Sequence, residues 1–259
     1  MLSGECASRS NAKGMGSQKM DRSDINRRGF VKACSAIATL AAAAAARLIE
    51  PAFALADAPK LKLVDKAGKP IKAGALQAHE NYLFAYPYVS TPCLLLRLGS
   101  TTPRNVERKN ADGAPYTWPG GVGKDGAVVA YSAICSHAFS YDGKANSFLT
   151  YSKTPSQLSG KARTITCCAH GSVFDPAAGA KVVGGPAKFP LAAVQLSYDA
   201  NSDELSTVGM VGTFLFKEFF KAFRADLNQE YGRGAYREVL KQETTVLPMR
   251  EYSKDVVKC

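Results

Sequence analysis

The sequence lacks several features that would assign it to a common class at once. It has no basic stripe interleaved with aromatic residues, although its net charge is +11, which argues against a nucleic-acid-binding protein. A transmembrane helix needs about 20 apolar residues. The alanine-rich stretch 33–46 is shorter and ends at Arg47. Histidine is scarce, with three in the whole chain, so the positions of these three residues carry information.

Residues 1–56 have the organisation of an export signal. The stretch "NRRGFVK" contains Arg27 and Arg28, an alanine-rich segment follows, and residues 54–56 form an A-x-A cleavage site. This pattern predicts a twin-arginine signal and a periplasmic protein. That route exports proteins already folded, as is required when a cofactor is inserted in the cytoplasm. An uncleaved leader that anchors the chain to the membrane stays open as an alternative.

Beyond the leader the number of cysteines is odd. They are Cys93, Cys135, Cys167, Cys168 and Cys259. In an oxidising compartment an odd number does not indicate a framework of disulfides alone. Some of these thiols must have another role.

Two short stretches contain most of the chemistry. The first box, "YSAICSHAFSYDG" (131–143), has Cys135 and His137 two residues apart. The second box, "CCAHGSVFD" (167–175), has Cys167 and His170 three residues apart. Two thiols and two imidazoles make a four-ligand metal set of mixed softness.

Two kinds of metal centre use such ligands. Structural zinc sites favour pairs of like ligands that are close in sequence. Here each box supplies one cysteine and one histidine. In a Rieske [2Fe–2S] centre one iron takes two thiolates and the other takes two imidazoles, so mixed boxes favour that cluster. Zinc stays the alternative.

The two boxes resemble the Rieske pattern C-x-H-x-G-C … C-x-C-H-G-S. The resemblance implies that Cys135 and Cys167 bind one iron, and that His137 and His170 bind the other. It also implies that the Ser172 hydroxyl bonds a cluster sulfide.

A third stretch, "VVGGPAKFP" (182–190), is similar to the Pro loop that covers the cluster in this family. Gly185 permits its turn and Pro186 stiffens it. Both residues are therefore expected at the cofactor.

The chain departs from the family pattern at several positions. Ser140 and Ala169 stand where many members have the cysteines of a disulfide between the two loops, and Cys168 has no partner in the first box. We therefore expect no such disulfide. Phe139 replaces the glycine of the first box. Phe174 stands where high-potential members have a tyrosine that bonds a cysteine sulfur, so the resemblance predicts a middle potential within the Rieske span.

The family branch follows from further matches. A ring-hydroxylating oxygenase needs a second iron site, but no histidine follows His170. Residues 86–99, 119–137 and 196–212 resemble the small Rieske subunit of arsenite oxidase. That resemblance implies a periplasmic one-electron carrier without substrate chemistry of its own, which serves a molybdenum-containing catalytic subunit and a c-type cytochrome.

Two other functions stay open. One is the Rieske subunit of a quinol–cytochrome c oxidoreductase. That function calls for the loop disulfide and the tyrosine, which are missing, and for an uncleaved membrane anchor, which the leader does not establish. The other is a module of a different redox assembly that is bound through the C-terminal tail.

The fold is predicted as all-β, an antiparallel barrel or sandwich of the Rieske type over residues 57–212. Its short apolar strands are 61–64, 93–98, 127–131, 192–199 and 204–208. A cluster-binding subdomain is inserted at roughly 132–190. The polar segment between the boxes is expected to be a surface loop or short hairpin.

Residues 213–259 form a predicted helical and extended tail. Its aromatic and aliphatic residues have helical spacing: Phe216, Phe219, Phe220, Phe223 and Leu227. The helix either packs on its own barrel or binds a partner subunit. Cys93 is expected to be a buried core thiol. His79, Trp118 and Cys259 are assigned no role.

Overall fold

Strands are the main regular element of the described residues. The computed structural model describes residues 58–259, so the predicted leader lies outside the described residues. The strands are β1 (Leu61–Val64), β2 (Asn81–Ala85), β3 (Pro92–Arg97), β4 (Val106–Lys109), β5 (Pro115–Trp118), β6 (Val128–Ser132), β7 (Asn146–Ser147), β8 (Leu149–Ser152), β9 (Thr164–Cys167), β10 (Ser172–Asp175), β11 (Lys181–Gly184), β12 (Ala193–Asp199), β13 (Glu204–Val211), β14 (Glu243–Thr245), β15 (Leu247–Pro248) and β16 (Asp255–Val256).

Three short α-helices follow β13 and lie in the tail: α1 (Phe216–Ala222), α2 (Arg224–Tyr231) and α3 (Met249–Tyr252). Single 3-10 turns occur at Ala73–Ala75, Pro176–Ala178 and Ala235–Arg237. Among residues 58–259, no helix has both the length and the apolar character that crossing a membrane requires.

Eight strands form one large sheet in the order β14-β1-β13-β12-β6-β3-β2-β15. All neighbours are antiparallel except β1 and β14. The two edge strands are consecutive in sequence, and a single residue, Val246, joins them. The sheet therefore curls until its edges nearly meet, and the Thr244 hydroxyl donates a hydrogen bond of 2.9 Å to the carbonyl of Ala85 in β2. The predicted antiparallel barrel is confirmed.

The central strands are buried on both faces. Leu94 and Leu96 in β3 point to a core shared with the smaller sheet, whereas Cys93 and Leu95 point to a second core. Double-sided burial explains why β3 has a continuous apolar run instead of an alternating one. Cys93 is a buried free thiol, and its burial raises the pKa.

A second, four-stranded antiparallel sheet has the order β11-β10-β9-β8. It lies within the stretch predicted as the cluster-binding subdomain. The segment between the boxes is more regular than a surface loop, because its first half supplies β7 and β8. Strand β8 pairs with β9 from Leu149 opposite Cys167 to Ser152 opposite Thr164.

The tail is part of the barrel. Phe216, Phe219 and Phe220 of α1 are buried in the second core together with Leu95. Residues 243–248 then supply both edges of the large sheet. Of the two interpretations of the helix, the structure shows the one in which it packs on its own chain.

Candidate functional site

The first box forms a tight turn at the end of β6. The Cys135 amide donates to the Ser140 carbonyl at 2.8 Å, and the Phe139 amide donates to the Cys135 carbonyl at 3.1 Å. Phe139 has a φ of +61°, in the left-handed region that favours glycine. The backbone at this position thus takes a conformation that glycine adopts freely, at some cost in strain for a phenylalanine.

The second box forms the hairpin between β9 and β10. Cys167 is the last residue of β9 and pairs with Ser172, the first residue of β10. The hairpin is closed by a 2.8 Å hydrogen bond from the Gly171 amide to the Cys167 carbonyl. Gly171 has a φ of +75°, which a glycine adopts without strain.

The two loops bring their cysteines together inside the protein. Cys135 and Cys167 are both free, and neither is exposed to solvent. A hydrogen bond between the two thiols lowers the pKa of Cys135 to about 6 and raises the pKa of Cys167. Amides of His137 and Ala138 also point at the Cys135 sulfur and favour its thiolate.

The two histidines lie together on the outside. The rings of His137 and His170 have centroids 5.1 Å apart, at an interplanar angle of 76°. Both residues are exposed. The Ser140 hydroxyl is 3.5 Å from Nδ1 of His170, which links the first box to the second. Each loop thus contributes one buried sulfur and one exposed imidazole.

The four side chains form two pairs. Within residues 58–259, no three His, Cys, Asp or Glu side chains converge in one metal-binding group. The arrangement has an inner pair of thiols and an outer pair of imidazoles.

Ser172 has a buried hydroxyl with an unused hydrogen bond. Its Oγ has no nitrogen or oxygen partner among the described residues, although the side chain has no solvent exposure. The hydroxyl lies beside the Cys135 thiol and contributes to its lowered pKa. Phe174, also fully buried, presents no donor.

The predicted Pro loop contacts the second box. Gly185 has a φ of +74°, and a Cβ built on it would lie 2.1 Å from the carbonyl oxygen of Gly171. The loop can approach so closely because residue 185 has no side chain. Pro186 follows on the exposed side. From the first box, the Ser136 hydroxyl donates to the Phe189 carbonyl at 2.7 Å.

Cys168 and Cys259 form a disulfide, 91 residues apart in sequence. The two loops have no disulfide between them, as expected from Ser140 and Ala169. The expectation that Cys259 has no role is wrong, because its sulfur is bonded to Cys168. The number of cysteines could have indicated this disulfide. Once the two candidate ligands and the core thiol Cys93 are set aside, Cys168 and Cys259 are the two that remain.

Two other residues near the boxes were missed. Asp142, the next-to-last residue of the first box, is fully buried and accepts hydrogen bonds at Oδ1 from the amides of Phe148 and Leu149. Its burial raises the pKa to about 8. His79, the third histidine, bonds the Tyr151 hydroxyl through Nδ1 at 3.1 Å. It therefore connects the barrel with β8.

Comparisons with known protein families and solved structures gave the following results. No family model matches the chain. The chain is similar to the soluble domain of the Rieske protein II (soxF) from Sulfolobus acidocaldarius, with 28% sequence identity and a TM-score of 0.43. The match covers 61% of this chain and 80% of that one.

Proposed function

We propose that the chain is a Rieske-type electron-transfer protein. Cys135 and Cys167 would hold one iron of a [2Fe–2S] cluster, and His137 and His170 would hold the other. When bound, such a cluster accepts and donates one electron at a time.

The observation that carries this proposal is the segregation of the ligands. Two loops each supply one buried cysteine and one exposed histidine, and like residues face each other. A single zinc ion needs its four ligands around one point. A two-iron cluster with different ligands on each iron needs two separate pairs, as found here.

The unused donor at Ser172 fits the same group. A buried hydroxyl without a partner is costly in a folded protein. A cluster sulfide beside Cys135 would accept its hydrogen bond. The residues present therefore fit a Rieske cluster.

The protein residues have distinct tasks in electron transfer. The buried cysteines and the Pro loop exclude water from the inner side of the site. The exposed imidazoles of His137 and His170 offer the surface at which a redox partner would exchange electrons. The proposed role is electron transfer alone, without substrate chemistry of the chain's own.

The finer assignment is a subunit of a periplasmic molybdenum oxidoreductase similar to arsenite oxidase. It is supported by the resemblance of residues 86–99, 119–137 and 196–212 and by the twin-arginine leader. A c-type cytochrome would be the second partner. Membrane association would require an uncleaved leader.

The alternatives differ in what supports them. The quinol–cytochrome c oxidoreductase would be favoured by an intact N-terminus in the exported protein. A different assembly bound through the tail was motivated by the length of residues 213–259. That length is accounted for by the barrel edges and the second core.

The test is elemental analysis of the complex purified natively from its exported location. We expect about two irons per chain with little zinc. Zinc without iron would overturn the cluster assignment. Molybdenum in the same sample would support the arsenite oxidase-like assembly, and iron without molybdenum would favour the quinol-oxidising complex or another partner.

A further inference from the structure

The last seven residues of the chain lie across the region that joins the two boxes. We call residues 253–259 the C-terminal clasp. It follows α3, crosses β7, and ends in the disulfide between Cys259 and Cys168.

At its first end the clasp holds the segment that leaves the first box. Strand β16 pairs in parallel with β7. The Ser147 hydroxyl lies 2.6 Å from that of Ser253, which donates at 2.6 Å to the Gly143 carbonyl. Both serines are buried. Backbone amides of the clasp add three bonds to this segment, from Lys254, Asp255 and Val257.

At its other end the clasp holds the second box. Cys168 directly follows the ligand Cys167 and precedes His170 by two residues. Its amide donates to the Phe148 carbonyl at 2.7 Å, and its sulfur is bonded to Cys259. The clasp thus connects both boxes to one short segment.

Apart from the Pro loop beside Gly171 and the contact between Ser140 and His170, the tip of the second box has few other restraints. His170 is exposed, and a Cβ built on Gly171 would meet nothing within 4 Å. A surface loop with few packed contacts opens locally at low cost. A covalent bond beside Cys167 limits that opening, because the loop cannot separate from the clasp.

We propose that Cys168 and Cys259 are positioning residues for the metal site. Their disulfide, together with the pairing of β16 and β7, holds the loop that carries His170 in a fixed position relative to the first box. The proposal rests on the Rieske function for its consequence at the cluster, but the positioning of the loop is a property of the chain itself.

The disulfide is open to chemical attack, which makes it testable in the native protein. It borders a surface cavity of about 300 Å³ that is lined by Thr150, Thr166, Val256 and Lys258. A small dithiol can enter a space of that size.

The experiment compares hydrogen exchange in the full-length native protein and in Cys259→Ser, Cys168→Ser and the double variant. Lys258→Ser is the matched control, since it changes a neighbouring side chain and leaves the disulfide intact. We expect amides 168–172 to exchange about tenfold faster in all three cysteine variants, with no further increase in the double variant. Dithiol treatment of the native protein should have the same effect.

Two further measurements separate positioning from general stabilisation. Exchange in β3 and β6 of the barrel should stay unchanged, whereas a merely stabilising cross-link would alter it as well. In the iron-loaded protein, a chelator should remove iron several times faster from Cys259→Ser, and the electron paramagnetic resonance lines of its reduced form should broaden. Ser253→Ala, which keeps the disulfide, should increase exchange at 143–147.

Unchanged exchange at 168–172 in Cys259→Ser, or an equal increase in the barrel strands, would overturn the proposal. If the native protein contains no iron, the Rieske function fails, but the exchange measurements still decide whether the clasp positions the loop.

Discussion

The barrel and the small sheet that carries the second box are held together in different ways. In the barrel, strands such as β3 bury apolar side chains on both faces. The small sheet has strands of four residues that share one of these cores through Leu149, Ile165 and Phe174, and individual bonds add to its attachment. Asn81 bonds both the amide and the carbonyl of Tyr151, at 2.8 and 2.9 Å, Asp142 accepts from two amides next to β8, and Cys168 is cross-linked.

The difference shows how a metal site can be built at the edge of a stable body. Apolar burial is spread over many residues, so the barrel tolerates a local change. The site requires defined positions for a few atoms, and single polar or covalent bonds supply them. Substitutions near the boxes should therefore alter the site more than the fold.

The largest contrast should come from two kinds of cysteine. Cys167→Ser or His170→Ala should remove all the iron, because each substitution leaves one iron with a single protein ligand and the cluster cannot be held. Cys93→Ser, in the barrel, should keep the full iron content in the folded fraction and lose only stability. Iron analysis and thermal unfolding of the purified variants measure both effects. Iron retained by Cys167→Ser would contradict the assignment of Cys167 as a ligand.

The pH dependence of stability tests how Asp142 contributes to the attachment of the small sheet. Because its folded pKa is raised to about 8 from 3.8, the folded state keeps a proton that the unfolded state loses above about pH 4. Stability should therefore fall as the pH rises from 4 to 8. Asp142→Asn should flatten this dependence and gain up to about 5 kcal/mol at pH 8. Denaturant unfolding at several pH values gives the result, and equal slopes in both proteins would contradict it.

Gly68 in the barrel and Gly185 in the Pro loop have the same φ of +74°, so substituting each of them compares the two regions directly. Gly68→Ala, in a barrel turn with open space around it, should cost about 1 kcal/mol of backbone strain. Gly185→Ala adds a collision with the Gly171 backbone and should cost about 3 kcal/mol. It should also displace the second box and weaken iron binding. Similar losses for both variants would show that the Pro loop does not need its close approach.

The smallest effect is expected at Ser172. Removing its hydroxyl leaves the fold almost unchanged, since that hydroxyl has no nitrogen or oxygen partner among the described residues. With the cluster bound, Ser172→Ala should lower the reduction potential by roughly 60 mV, the equivalent of one hydrogen bond to a charged group. Voltammetry of the two proteins measures it. An unchanged potential would mean that this hydroxyl does not reach the cluster.

The sequence predicted the parts of the fold that rest on apolar periodicity. Strands 61–64 and 204–208 were placed where β1 and β13 occur, although β13 continues to Val211. The barrel edges β14 and β15 were not predicted. They are two or three residues long, contain Thr244 and Pro248, and are strands because they lie beside β1 and β2. Such long-range pairing leaves no local pattern.

The site, like the fold, was predictable only where short-range spacing determines it. Spacing singled out the four candidate ligands, because a loop of three or four residues must place them. It could not identify Cys259 or Asp142, whose roles depend on segments brought together by the fold. The left-handed conformation of Phe139 was also beyond prediction, since the position favours a glycine that the chain lacks.

The scarcity of histidine offers the most direct test of the central claim. The native protein would be produced with ¹⁵N-labelled histidine, reduced, and examined by pulsed electron paramagnetic resonance. We predict couplings from two imidazole nitrogens to the reduced centre of the native protein, unchanged in His79→Ala, whereas His137→Ala and His170→Ala lose the centre together with the iron. A paramagnetic iron centre without histidine nitrogen coupling, or no such centre at all, would contradict the account.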